Sequence, residues 1–161
     1  MTTKADYTDE EWVALRRAPL VAGLAVSLAD PGGPIELTKE ALAILKVART
    51  PPSRDELLLA VAQDLAAEVR ARGKMLEDLD IRGRAARKQV VEELTSVNAI
   101  LTAKATPEEA ASFRLWLVQA AQGAAEAAKE GGFLGVGRVL VSKGEQAMID
   151  RIREILGVAG G

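Results

Sequence analysis

The 161-residue chain contains no cysteine and no histidine. The first absence removes disulfides, thiolate nucleophiles, zinc ribbons and iron–sulfur clusters. The second removes the commonest general base and the commonest transition-metal ligand. Serine triads and cysteine dyads are excluded with them. Aromatic residues make up only 3% of the chain, so base-stacking and sugar-stacking platforms are not expected. No apolar run is long enough to span a bilayer. The longest, Ala18 to Ala29 with Ser27 inside it, holds about twelve residues where about 18–20 are needed. It is bounded by Arg16, Arg17 and Asp30 and reads as a buried core helix. The opening MTTKADYTDEEW has no apolar signal core, and cytoplasm is the expected compartment.

What is present is alanine, 29 of 161 residues, in a chain that is 48% hydrophobic and 27% charged with net charge −2. That balance is globular, and the alanine favours close-packed helices. Helix starts are marked repeatedly. Thr8-Asp9-Glu10-Glu11, Ser53-Arg54-Asp55-Glu56 and Ser142 to Glu145 read as capping boxes, and Thr106-Pro107-Glu108-Glu109 adds proline at the first helical position. The second box opens a helix to about Arg72, with Leu57, Leu58, Val61, Leu65 and Val69 as its stripe. A further helix runs from about Arg84 to Ala103, and another from Thr106 to about Glu130. Pro19 should kink the first helix or start a new one. Thr38 caps a helix to about Arg49, Gly157 ends the last one, and residues 74–82 suggest a short helical turn. The expectation is a single all-α domain of six or seven helices over residues 8–157. Residues 1–7 and 158–161 read as flexible ends.

Two places share an order of parts. An Ala-rich helix ends at Asp30 or Glu130, a Gly-Gly pair follows, and Ile35-Glu36-Leu37-Thr38-Lys39 or Val139-Leu140-Val141-Ser142-Lys143 opens the next helix. If related, the two units would form a pseudo-twofold pair. Their extended triplets could then lie side by side as a minimal β-bridge.

Few motifs carry chemistry. Gly132 to Gly137 with Arg138 approaches a phosphate loop. Arginine stands for lysine, however, Val139 replaces the magnesium-binding hydroxyl, and a helix rather than a strand precedes it. Ser142 and Lys143 are adjacent at a helix start, where both are solvated. The locally basic stretch Arg70 to Lys88 lies in a slightly acidic chain without interleaved aromatics, so no nucleic-acid partner is expected. Carboxylates four apart, Glu36/Glu40, Asp64/Glu68, Glu126/Glu130 and Asp150/Glu154, can share a hard cation or form a solvated helix face. The apolar connector residues Phe133, Leu134 and Val136 need burial, either in the same chain or against a partner.

Thr106-Pro107-Glu108-Glu109-Ala110, Phe113-Arg114-Leu115-Trp116-Leu117, the run Ala125 to Gly135, Val141-Ser142 and Glu145, together with Arg17-Ala18-Pro19, resemble a family of small uncharacterised bacterial all-helical proteins. More remotely, the order of helix, acidic or glycine loop, Ser/Thr cap and acidic helix resembles the tellurite-resistance B-like helical proteins. That resemblance implies an acidic divalent-metal site, with Asp30, Glu36, Glu40, Glu126, Glu130 and Glu145 as candidates. The family's acidic loop has Asp followed by Gly, whereas here Pro31 follows Asp30 and Glu130 takes the other place. The functional expectation is a non-catalytic protein that acts through another protein, or through itself as a homodimer, with no cofactor. The alternative is a divalent-metal-binding stress-response protein.

Overall fold

A computed structural model describes residues 1–29, 44–72, 86–130 and 143–159, with side chains omitted at 128–130. Five α-helices lie in these stretches: α1 (Asp9–Leu28), α2 (Glu56–Arg72), α3 (Ala86–Lys104), α4 (Pro107–Glu130) and α5 (Lys143–Leu156). A one-turn 3-10 helix, Lys4–Asp6, precedes α1, and residues 44–48 are helical. No strand occurs among the described residues, and the fold is a single all-α domain. The suggested β-bridge, the 74–82 turn and the connector Phe133, Leu134 and Val136 lie outside the described residues, so the pseudo-twofold has no described seam.

Local sequence explains where most helices begin. Thr8 Oγ1 accepts the Glu11 amide at 3.1 Å, and Glu11 accepts the Thr8 amide at 2.8 Å. The same reciprocal pair joins Thr106 and Glu109 at 3.0 and 3.2 Å. Each box satisfies two otherwise orphaned amides. At α2 the expected box does not form. The Ser53 hydroxyl donates to the Asp55 carboxylate, and Asp55 holds the cap position with its carbonyl accepting Leu59 N–H at 3.0 Å. Ser53 Oγ accepts the Asp55 amide, at 3.4 Å, in place of the Glu56 amide.

α1 is the centre. It packs most extensively on α4, then on α3, and also touches α5 and α2. From Ala18 to Val26 it is buried on nearly every face. Pro19 neither ends it nor starts a new helix. It has no N–H to give the Leu15 carbonyl, yet α1 continues for nine further residues because packing on all sides over-determines its path. α1 and α4 run in the same direction: Thr2 meets Glu109 at one end, while Gly23 and Gly123 both press on the 44–48 stretch at the other. α2 also runs with α1, since Trp12 bonds Asp64 and Arg16 pairs with Glu68 one turn further on. α3 is antiparallel to α1, with Lys104 at Glu11 and Glu93 at Arg17.

The core follows the expected stripes. Leu57, Leu58, Val61 and Leu65 of α2 are fully buried, with Phe113, Trp116, Leu117, Ala120 and Ala124 of α4 and Val90, Leu94, Val97 and Leu101 of α3. α5 contributes Ile149, Ile152 and Leu156. Phe113 and Trp116 stack edge-on at 5.4 Å, and Trp116 Nε1 donates to the Val47 carbonyl at 2.9 Å. The indole thus anchors the 44–48 stretch to α4.

Described residues near both ends of the sequence make defined contacts. Tyr7 is buried, Thr3 and Asp6 cap the 3-10 turn, and the Thr2 amide and hydroxyl donate to the two oxygens of Glu109 at 2.8 and 2.9 Å. A polar N-terminus finds partners because Glu109 offers carboxylate lone pairs beyond those its capping box uses. At the other end, Gly157 has φ +68° and the Val158 amide bonds the Arg153 carbonyl at 2.9 Å. This is a Schellman stop, and Val158 packs on the core.

Helix spacing around α1 depends on side chains at their smallest. A Cβ on Gly23 would lie 2.7 Å from Ile44 Cγ1 and 2.8 Å from Cγ2, and one on Gly123 would lie 2.9 Å from a Val47 methyl. Gly23→Ala gains about 1 kcal/mol of helix propensity but incurs an overpacking cost of roughly 1–3 kcal/mol. Ala124→Leu, at a fully buried α4 position, costs roughly 1–3 kcal/mol with no offset. Ala124→Leu should show a lower urea midpoint than the parent, and Gly23→Ala should not show a higher one. An unchanged midpoint in Ala124→Leu, or a raised one in Gly23→Ala, would contradict the close packing of α1, 44–48 and α4.

Candidate functional site

Two troughs lie on the described surface. The first, about 320 Å³, runs between the antiparallel α1 and α3. Val13, Ala14, Ala18 and Val21 form one wall and floor, and Leu94 and Val97 the other. Glu10, Arg17, Gln89, Glu92, Glu93 and Ser96 make the rim. The α1 wall spans Glu10 to Val21, about three turns or ~16 Å at 1.5 Å per residue. It exists because α1 is apolar on more than one face. Trp12 and Leu15 point into the core, while Val13, at 38% exposure, and half-buried Ala14 face outward. Alanine at 14 and 18 leaves the depth that larger side chains would fill. Arg17 Nη2 bonds Glu93 Oε1 at 3.2 Å across the trough, whereas Lys88 and Glu92 form an exposed pair at 3.7 Å.

The second trough, about 540 Å³, lies between residues 46–50 and α4 and is lined by Lys46, Val47, Thr50, Gln119, Gln122, Gly123, Glu126 and Ala127. It brings one metal candidate, Glu126, beside the Lys46 ammonium, the Thr50 hydroxyl and two Gln amides, with no second carboxylate in its described lining. Of the other candidates, Asp30, Glu36 and Glu40 lie outside the described residues, as does the side chain of Glu130. Glu145 is buried in the first turn of α5. No group of three or more acidic side chains placed to hold a metal occurs among the described residues. No helix among them is long and apolar enough to cross a membrane.

A polar cluster at the pole where the chain begins holds four elements together. Lys104 of α3 pairs with Glu11 of α1, donates to the Asp6 carbonyl at 3.2 Å and stands 5.8 Å from the Tyr7 ring centre. Lys4 pairs with Asp64 of α2 at 2.7 Å over the Trp12 ring, and Trp12 Nε1 donates to the same carboxylate at 2.8 Å. The Lys104 hydrogen bond and the Thr8 amide hold the Glu11 carboxyl below its ordinary range. The Lys4 hydrogen bond does the same for Asp64, aided by the Trp12 indole and against partial burial. Burial pushes Glu109 upward, but its bonds from Thr106 and Thr2 outweigh it and the net shift is down. Burial raises the Tyr7 phenol. All four groups are tied to partners in other elements, so this cluster fastens the fold.

The sequence pointed to carboxylate pairs and to the Gly-rich connector, and it missed the α1–α3 trough. Its one legible signal is Glu10, Val13, Ala14 and Arg17, spaced i, i+3, i+4 and i+7 on the face away from Trp12 and Leu15. No family model, curated protein or solved structure matches the chain.

The shifts fix the pH response. Glu11, Asp64 and Glu109 titrate lower folded than unfolded, so their contribution is present above the unfolded carboxylate range and is lost as pH falls through their folded values. Tyr7 titrates higher folded, so its contribution is lost as pH rises above about 10. Urea midpoints should be level near neutrality, fall below about pH 5 and fall again above about pH 10. Glu109→Gln should flatten the acid limb. An acid limb of unchanged slope in that variant would contradict the role given to Glu109.

Proposed function

We propose that the chain is a non-catalytic protein-binding domain, and that the α1–α3 trough receives a helical segment of a partner protein. The carrying observation is the form of the trough: two long helices as walls, an apolar floor of Ala14, Ala18, Val21, Leu94 and Val97, and charge confined to the rim. A segment laid along it would bury Val13 and the floor, and apolar burial drives such association. The carboxylates with displaced titration serve caps and ion pairs, which supports a binding role over acid–base chemistry.

A photoreactive residue at Val13, with one at Leu115 as control on another exposed face, tests this. The expected adduct forms from position 13 and joins one polypeptide segment. A synthetic copy of that segment should bind the purified chain and lose at least about tenfold in affinity to Ala14→Trp, a factor well above measurement error. Thermal melting checks that the variant is folded. Equal adducts from both positions, or an affinity that Ala14→Trp leaves intact, would overturn the reading.

A further inference from the structure

The trough is apolar at its floor but not neutral at its edge. Its rim carries three glutamates, Glu10, Glu92 and Glu93, against one arginine, Arg17. Arg17 is already engaged by Glu93. Glu92 is held only by Lys88 in an exposed pair at 3.7 Å, a type of contact worth little and readily exchanged. Glu10, in the first turn of α1, has no cation among the ion pairs of the described residues. The edge therefore offers carboxylates on both walls, one from α1 and one from α3, flanking an apolar floor.

Resting on the docking reading above, we infer that the occupant of the α1–α3 trough is a basic amphipathic helix, with apolar residues at i, i+3 or i+4 and i+7 and lysine or arginine on both sides of that stripe. The length of the α1 wall, about three turns, sets the length of stripe that can be buried. The apolar side chains cover Val13 and the floor. The flanking cations reach Glu10 on one wall and Glu92 on the other, and their aliphatic stems add cover at the edge. Charge of this kind selects partner and encounter rate more than it adds affinity. A second copy of this chain is a poor occupant, because a twofold contact through the trough sets each glutamate-rich rim against its duplicate.

The test uses the whole purified chain and a displayed library of helical peptides. The library fixes a leucine stripe and varies the flanking positions among Lys, Glu, Gln and Ala. Counter-selection uses Ala14→Trp and, independently, Ser96→Trp, which plugs the trough from an exposed position on α3. The expected clones carry lysine at the flanks. A representative peptide should bind about tenfold more weakly to the Glu10→Gln/Glu92→Gln double variant, and its binding should weaken with added salt. Clones that depend on the trough but carry neutral or acidic flanks would overturn the basic-partner inference and leave the docking reading standing. Clones that bind the plugged variants as well as the parent would overturn the docking reading itself. A concentration-dependent dimer in sedimentation, abolished by Ser96→Trp, would make a second copy the occupant and overturn the inference.

Discussion

The structure depends on the burial of one helix. α1 touches α2, α3, α4 and α5, and its second half is enclosed on almost every side. A helix so placed cannot carry large side chains all round without forcing its neighbours apart. The sequence answers with Ala18, Ala22, Gly23 and Ala25, and α4 answers with Ala120, Ala121, Gly123 and Ala124. Interiors packed to crystal-like density tolerate little change in volume. That explains why Ile44 and Val47 can sit directly on two glycines, and why a proline survives mid-helix.

Charge has a different job here. Polar groups gather at the pole where residues 2–11 meet the start of α4, the end of α3 and the middle of α2. Lys104, Lys4 and Thr2 each bridge elements distant in sequence. Hydrogen bonds to charged groups are stronger than neutral ones, and the Glu109 carboxylate receives them from the amides of Thr2 and Thr106 and from the Thr2 hydroxyl. The first turn of α1 is thereby held, and the α1 wall of the trough begins in that turn.

Much of this was legible because it is local. The Thr8 and Thr106 boxes, the stripes of α2, α3 and α4 and the stop at Gly157 depend on residues within a turn or two of each other. Legibility failed where a distant or competing partner decided the outcome. The tie between Thr2 and Glu109 spans most of the chain, so nothing near Thr2 announces it. Ser53 looked like a cap for Glu56, but the nearer Asp55 took its hydroxyl. At Pro19 the sequence left a kink and a new helix open, because local rules weigh the lost hydrogen bond and not the surrounding helices that keep α1 continuous. The trough was hidden for the same reason. Val13 and Ala14 mean little until α3, some seventy-five residues on, lies beside them. The carboxylate candidates drew notice by spacing alone, and spacing does not say which helix faces which.

On the docking proposal, the core side of α1 fixes the backbone and the flank toward α3 presents an apolar floor among the described residues, which would need no ordering on binding. The claim beneath this is that α1 belongs to the most stable part of the fold. Native-state amide hydrogen exchange measures it directly. The amides of residues 20–26 should exchange only through global unfolding, with opening free energies equal to the most protected of α4 and to the denaturant value. Exchange of those amides through a smaller opening, while α4 stayed protected, would contradict the account.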